Sequence, residues 1–162
     1  MAFRHEIHVR SRDVDMQRVV ASANYLAYVG ECVDTWARTA VGPEFEQDGW
    51  DGMLKRAVLE WHAAARLGDL LTLDACVARW GTSSFDVDVL GRVGERPVFT
   101  ALATYVSVRP DTFEPIATPP AVRAAFGEAI APAPSTLIAT DGDGAASTLA
   151  SIGASRAPRN VR

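Results

Sequence analysis

The chain has 162 residues, 48% of them hydrophobic and 22% charged, enough for one packed core and too few for two ordinary domains. A formal net charge of -4, with 16 scattered basic residues against 20 acidic ones, excludes the broad positive field that nucleic acid binding requires. No apolar run reaches the length of a bilayer span or of a signal peptide's core, and Cys32 and Cys76 lack any metal-ligand spacing, so a cytoplasmic protein without membrane contact, disulfide framework, metal or organic cofactor is expected.

Phe3, Ile7 and Val9 alternate with Arg4, Glu6, His8 and Arg10, the period of a strand with one wet face. From Arg12 to Arg18 there is no periodicity, and Ser22 then offers a good N-cap. Between Ala23 and about Arg38, Tyr25, Val29, Cys32 and Trp36 recur at three- and four-residue spacing, with Leu26 and Val33 widening the stripe. This predicts one long helix, stopped by Gly42-Pro43.

Four strand-like runs follow: Val58 to Ala64, Leu71 to Trp80, Phe85 to Leu90 and Val98 to Val108. The breaks at Arg66-Leu67-Gly68-Asp69, Gly81-Thr82-Ser83 and Gly94-Glu95-Arg96 have hairpin lengths, which predicts that the four follow one another antiparallel. Val98 to Val108 is apolar or small on both faces, as in a central strand, whereas Asp86 and Asp88 mark a wet face on its neighbour. Pro119-Pro120 can open a short last helix through Phe126. One domain over residues 1–128 is expected, followed by a disordered tail over 129–162, where Ala, Ser, Gly, Thr and Pro dominate.

Taken together, Asp15, Val19-Val20, Ala23-Asn24-Tyr25-Leu26 and Tyr28 resemble the opening motif of hotdog-fold thioesterases of the 4-hydroxybenzoyl-CoA thioesterase type. Ala65-Arg66-Leu67-Gly68-Asp69 is similar to that family's turn between its second and third strands, and Trp80 to Phe85 to its turn into the fourth. The resemblance covers residues 3 to 126. It implies an α+β hotdog fold, a curved antiparallel β-sheet wrapped around one long central helix, paired as a homodimer or within a homotetramer with active sites at the subunit interface. It also implies a thioesterase that cleaves an acyl-CoA or acyl carrier protein thioester, with the catalytic acid at Asp15. The residues alone do not choose between Asp13 and Asp15.

Thioester hydrolysis needs an activated water or a nucleophile on one side of the carbonyl and a donor for the developing oxyanion on the other. Asp15 supplies the first, as general base or as nucleophile, and the first-turn N–H groups near Ser22 and Ala23 supply the second. Asn24 can hold the loop or the substrate, and Tyr25 can line the acyl pocket or the core. Glu31 lies farther along the helix, where some hotdog thioesterases carry their acid. Arg18 stands where the family has glycine and could meet an anionic acyl group or a pyrophosphate; Ser22 stands where it often has His or Asn. His5, His8 and His62 have no partner motif and are assigned no catalysis. Gly81-Thr82-Ser83 lacks the basic residues with which one branch grips coenzyme A. A hydratase or dehydratase on the same fold, and a hotdog that binds acyl thioesters without cleaving them, are the competing readings.

Overall fold

The computed structural model describes residues 2–42 and 49–130. Strand β1 (Phe3–His8) leads through a 3-10 turn at Ser11–Asp13 and a hairpin-like loop into helix α1 (Ser22–Ala40). Four strands follow, β2 (Asp51–Trp61), β3 (Leu70–Trp80), β4 (Ser84–Val93) and β5 (Arg96–Val108), and then the short helix α2 (Pro120–Phe126). They form one five-stranded antiparallel sheet in the order β1-β3-β4-β5-β2.

Tyr25, Tyr28, Val29, Cys32, Val33, Trp36 and Ala37 are the buried residues of α1. They share a core with Leu71, Leu73, Ala75 and Val77 of β3, Phe85, Val87 and Val89 of β4, and Phe99, Ala101, Ala103 and Tyr105 of β5. Each strand contributes alternate positions, because successive side chains point to opposite faces. Burying an aliphatic or aromatic side chain of this size stabilises by about 1.5–3 kcal/mol before chain entropy is counted, so the helix is held by its apolar stripe and not by its caps. At the far end of α1, Trp36 packs on Phe126 of α2 with ring centroids 4.5 Å apart.

The expected helix, the short last helix and the two hairpins β3-β4 and β4-β5 are all present. The strand between Ala40 and Leu70 differs from expectation: it begins at Asp51, well before Val58, and ends at Trp61. Its first half, with Lys55 and Arg56, carries no apolar alternation because an edge strand has only one paired side and one packed face. Nor does it neighbour β3, as consecutive hairpins would require. It pairs with β5, so His62 to Asp69 must cross the sheet. The middle strand is β4, with β5 beside it. Asp86 and Asp88 lie on the face away from α1 and are half-buried. Ile130 N–H donates to Val77 O at 2.8 Å, and the expected tail from residue 131 lies outside the described residues.

Candidate active site

The segment between β1 and α1 is built by backbone hydrogen bonds. Val9 N–H donates to Asp69 O (2.9 Å) and Gly68 N–H to Val9 O (3.1 Å), tying the end of β1 to the crossover. The 3-10 turn is closed by Asp13 N–H on Arg10 O, and Arg10 N–H returns a bond to Asp13 Oδ2 at 2.9 Å. Val14 and Val20 then bridge as in a hairpin. Asp15 N–H donates to Val19 O and Arg18 N–H to Asp15 O, each at 2.9 Å. Val20 N–H donates to Ala65 O at 2.9 Å and Val19 bridges Arg66, so the crossover pairs with the hairpin.

The tip of this hairpin is Asp15-Met16-Gln17-Arg18. Asp15 is exposed, and its Oδ1 accepts from Gln17 N–H at 2.8 Å, an Asx turn that orients the carboxylate while leaving its other oxygen open. Arg18 has φ of 63°, the left-handed region that glycine enters freely and other residues at a cost of about 1–2 kcal/mol. Arginine at this position therefore leaves the turn's backbone in the glycine conformation. Met16 is 98% exposed, an apolar side chain held out in solvent at the tip.

Helix α1 starts one residue earlier than a Ser22 cap would place it. Ala21 is the N-cap, makes no side-chain cap bond, and no acidic residue stands in the first turn. Ser22 and Ala23 are exposed helical residues, and their N–H groups have no acceptor within the helix. Asn24 turns away from the helix end, its Nδ2 donating to Asp13 O at 2.7 Å. Tyr25 is buried, and its hydroxyl accepts from Ala65 N–H at 3.2 Å. Glu31 does not join Asp15: its Oε1 lies 3.1 Å from His5 Nε2, and it lines a separate cavity of about 140 Å³ with Asp13, Asn24 and Tyr28. The loop, the helix start and Asn24 thus come together, Glu31 meets Asp13 and Asn24 only across that cavity, and Tyr25 is turned into the core.

Sequence reasoning gave Tyr28 no role of its own. It is buried, and burial followed by the nearby Asp13 carboxylate holds its ionisation above the usual phenol range. Its spacing of four from Asn24 was the available signal, since both then face the loop. Cys32 is fully buried and its thiol is pushed up to about 12 by burial first and by Asp74 second, which removes it as a nucleophile. At the turn Gly81-Thr82-Ser83, Arg123 brings a guanidinium that donates to Gly81 O and Thr82 O. Among the described residues no group of three His, Cys, Asp or Glu could hold a metal ion, and no helix is long and apolar enough to cross a membrane.

An antiparallel sheet with a helix on one face is the hotdog-like arrangement, and the family match makes the class that of thioester hydrolases. The chain belongs to the thioesterase-like superfamily, which it matches over residues 9–126. Its structure is similar to a 1,4-dihydroxy-2-naphthoyl-CoA thioesterase from Synechocystis, with TM-score 0.69 and 18% identity over 78% of this chain and 96% of that one. A thioesterase superfamily protein from Jannaschia sp. CCS1 gives TM-score 0.73 and 22% identity over 77% and 90% of the two chains. A thioesterase from Thermus thermophilus, in complex with coenzyme A and zinc, gives 0.67 and 21% over 76% and 90%. At these identities the structural likeness establishes the fold. No curated protein is significantly similar in sequence.

Proposed function

We propose that this chain hydrolyses the thioester of an acyl-CoA or acyl carrier protein to the free acid and thiol, with Asp15 as the reacting carboxylate. The observation that carries the reading is the open start of α1: Ala21 supplies no cap, and Ser22 and Ala23 are exposed beside the hairpin that presents Asp15. Two unpaired N–H groups at a helix N-terminus bind the oxygen on which charge develops, and one such donor contributes about 10²–10³ in rate. As general base, Asp15 takes a proton from the water that attacks the carbonyl carbon, and the thiolate leaves when the tetrahedral intermediate collapses. As nucleophile, it forms a mixed anhydride with loss of thiolate, and water then cleaves the anhydride.

Coenzyme A as donor is supported by the coenzyme A complex of the Thermus thermophilus thioesterase, and the Arg123 guanidinium beside the Gly81 turn, whose Nη2 donates to Gly81 O and Thr82 O, stands near where a nucleotide could be gripped. A second copy of the chain is the proposed cover of the site. Among the described residues edge strand β2 has an unpaired side and carries half-exposed Met53, Leu54, Val58 and Trp61, and Met16 at the loop tip is bare. Pairing of two such edges, with the sheets curving around the two helices, forms the homodimer, or half of a homotetramer, with the active site between subunits.

The test is thiol release from a panel of acyl-CoA chain lengths and from an acyl carrier protein thioester. Asp15→Asn is expected to lower kcat by about 10²–10⁴ with the fold intact. Turnover undiminished by that substitution removes Asp15 from the mechanism.

A further inference from the structure

We infer that the Asn24 amide and the Asp13 carbonyl form a clamp that sets the spacing between the Asp15 carboxylate and the free N–H groups of α1, which makes Asn24 a positioning residue. The inference rests on the proposed hydrolysis with Asp15 as the reacting group.

Asp13 O accepts two hydrogen bonds, from Ala21 N–H at 3.0 Å and from Asn24 Nδ2 at 2.7 Å. A carbonyl oxygen has two lone pairs, and both are used here. The clamp is central to both halves of the site. Asp13 precedes Asp15 by two residues, and Asp15 N–H is itself tied to Val19 O. Ala21 immediately precedes Ser22, the first residue of α1. One oxygen atom therefore gauges the carboxylate loop against the helix start, with only two residues of chain on one side and one on the other.

The choice of residue types agrees with this. Asparagine is among the best N-cap residues, yet here it stands third in the helix and its side chain reaches back to the loop. Ala21, at the cap position, has no side-chain acceptor. A Ser, Thr or Asp there would engage a first-turn N–H with the protein's own oxygen, in competition with a substrate carbonyl. The pairing of Ala21 with Asn24 leaves those donors free and still anchors the helix start. The Asn24 to Asp13 bond is part-buried, and so shielded from competing water. A displacement of about 1 Å between reacting groups costs on the order of 10² in rate, so a gauge of this kind acts on kcat and not on substrate affinity.

In the Asn24→Ala variant kcat is expected to fall about tenfold or more while KM stays within about twofold. Asn24→Ser, whose side chain is shorter, is expected to behave alike. In an Asp15→Asn background the same substitution should change the residual rate less than about twofold, because Asn24 acts through Asp15. Equal losses in both backgrounds, an unchanged kcat, or a rise confined to KM each overturn the clamp. Amide hydrogen exchange gives a readout that needs no substrate. Asp15 and Ala21 N–H are expected to exchange faster in Asn24→Ala at an unchanged global unfolding midpoint, and unaltered exchange overturns the clamp. A wild-type protein that cleaves no thioester overturns the hydrolysis reading, and the exchange result then still decides whether the clamp holds the loop.

Discussion

Arg18 is held at φ of 63° because the bonds around it leave no alternative: its N–H is committed to Asp15 O, and Val19 and Val20 are fixed by Asp15 N–H and Ala65 O. The strain is local and is offset by the hairpin that surrounds it. Asp88 is a second residue at odds with its surroundings. It faces away from α1 between Cys76 and Leu102, and burial pushes its carboxyl up to about 6, with Oδ1 unpaired. The folded state thus holds this proton to higher pH than the unfolded chain, whose Asp titrates near about 3.9. The stability that Asp88 contributes is complete below about pH 4 and is lost as pH rises through about 6. Asp88→Asn should therefore raise stability by about 1 kcal/mol at about pH 8, a figure reduced from full linkage because solvent screens a half-buried group. The gain should vanish below about pH 4. Urea midpoints across that range check it, and a gain independent of pH would sink the assignment to charge. Nothing in the alternation of β4 distinguishes Asp86 from Asp88. The pairing does, since Arg79 reaches Asp86 at 2.6 Å and, among the described residues, no basic side chain forms an ion pair with Asp88.

Among the elements, β4 and β5 show how a sheet makes room for its helix. Gly91 pairs with Phe99 across the two strands, and a Cβ at Gly91 would fall within the van der Waals envelope of the Phe99 ring. The register also shifts just after Gly91, as is common where a glycine lets the backbone bend. Phe99 is fully buried and its ring centroid lies 5.1 Å from that of Tyr25, so it has nowhere to go. Gly91→Ala is expected to cost about 3 kcal/mol. Chemical unfolding would measure this, and pairing the substitution with Phe99→Leu should recover part of the loss. A neutral Gly91→Ala would mean that the ring relaxes freely. Helix α1 was legible from a period near 3.6 and β3 and β4 from alternation, while β5 was legible as an apolar run bounded by Gly94-Glu95-Arg96. Strand β2 was legible only in its second half, since an edge position demands no apolar residues at Lys55 and Arg56.

For the whole molecule, the unpaired side of β2 is the surface on which the proposed assembly depends. Trp61 at 51% exposure and Val58 at 45% are larger apolar groups than an edge strand usually leaves bare. Val58→Lys is expected to weaken self-association at least about tenfold in sedimentation equilibrium and to lower thioester turnover in parallel. A wild-type protein that is monomeric at micromolar concentration would contradict the pairing. By itself the sequence determined the composition of the core, the helix and its stripe, the two hairpins, and the order of a β-strand, loop and helix that carries Asp15, because each of these depends on residues close together in the chain. The tertiary structure alone decided that β2 pairs with β5, that the crossover pairs with the Asp15 hairpin, and that Asn24 turns to the loop instead of capping the helix. Those outcomes depend on which backbone groups remain unpaired once the sheet has formed, and such a remainder is a property of the assembled fold and not of any one segment.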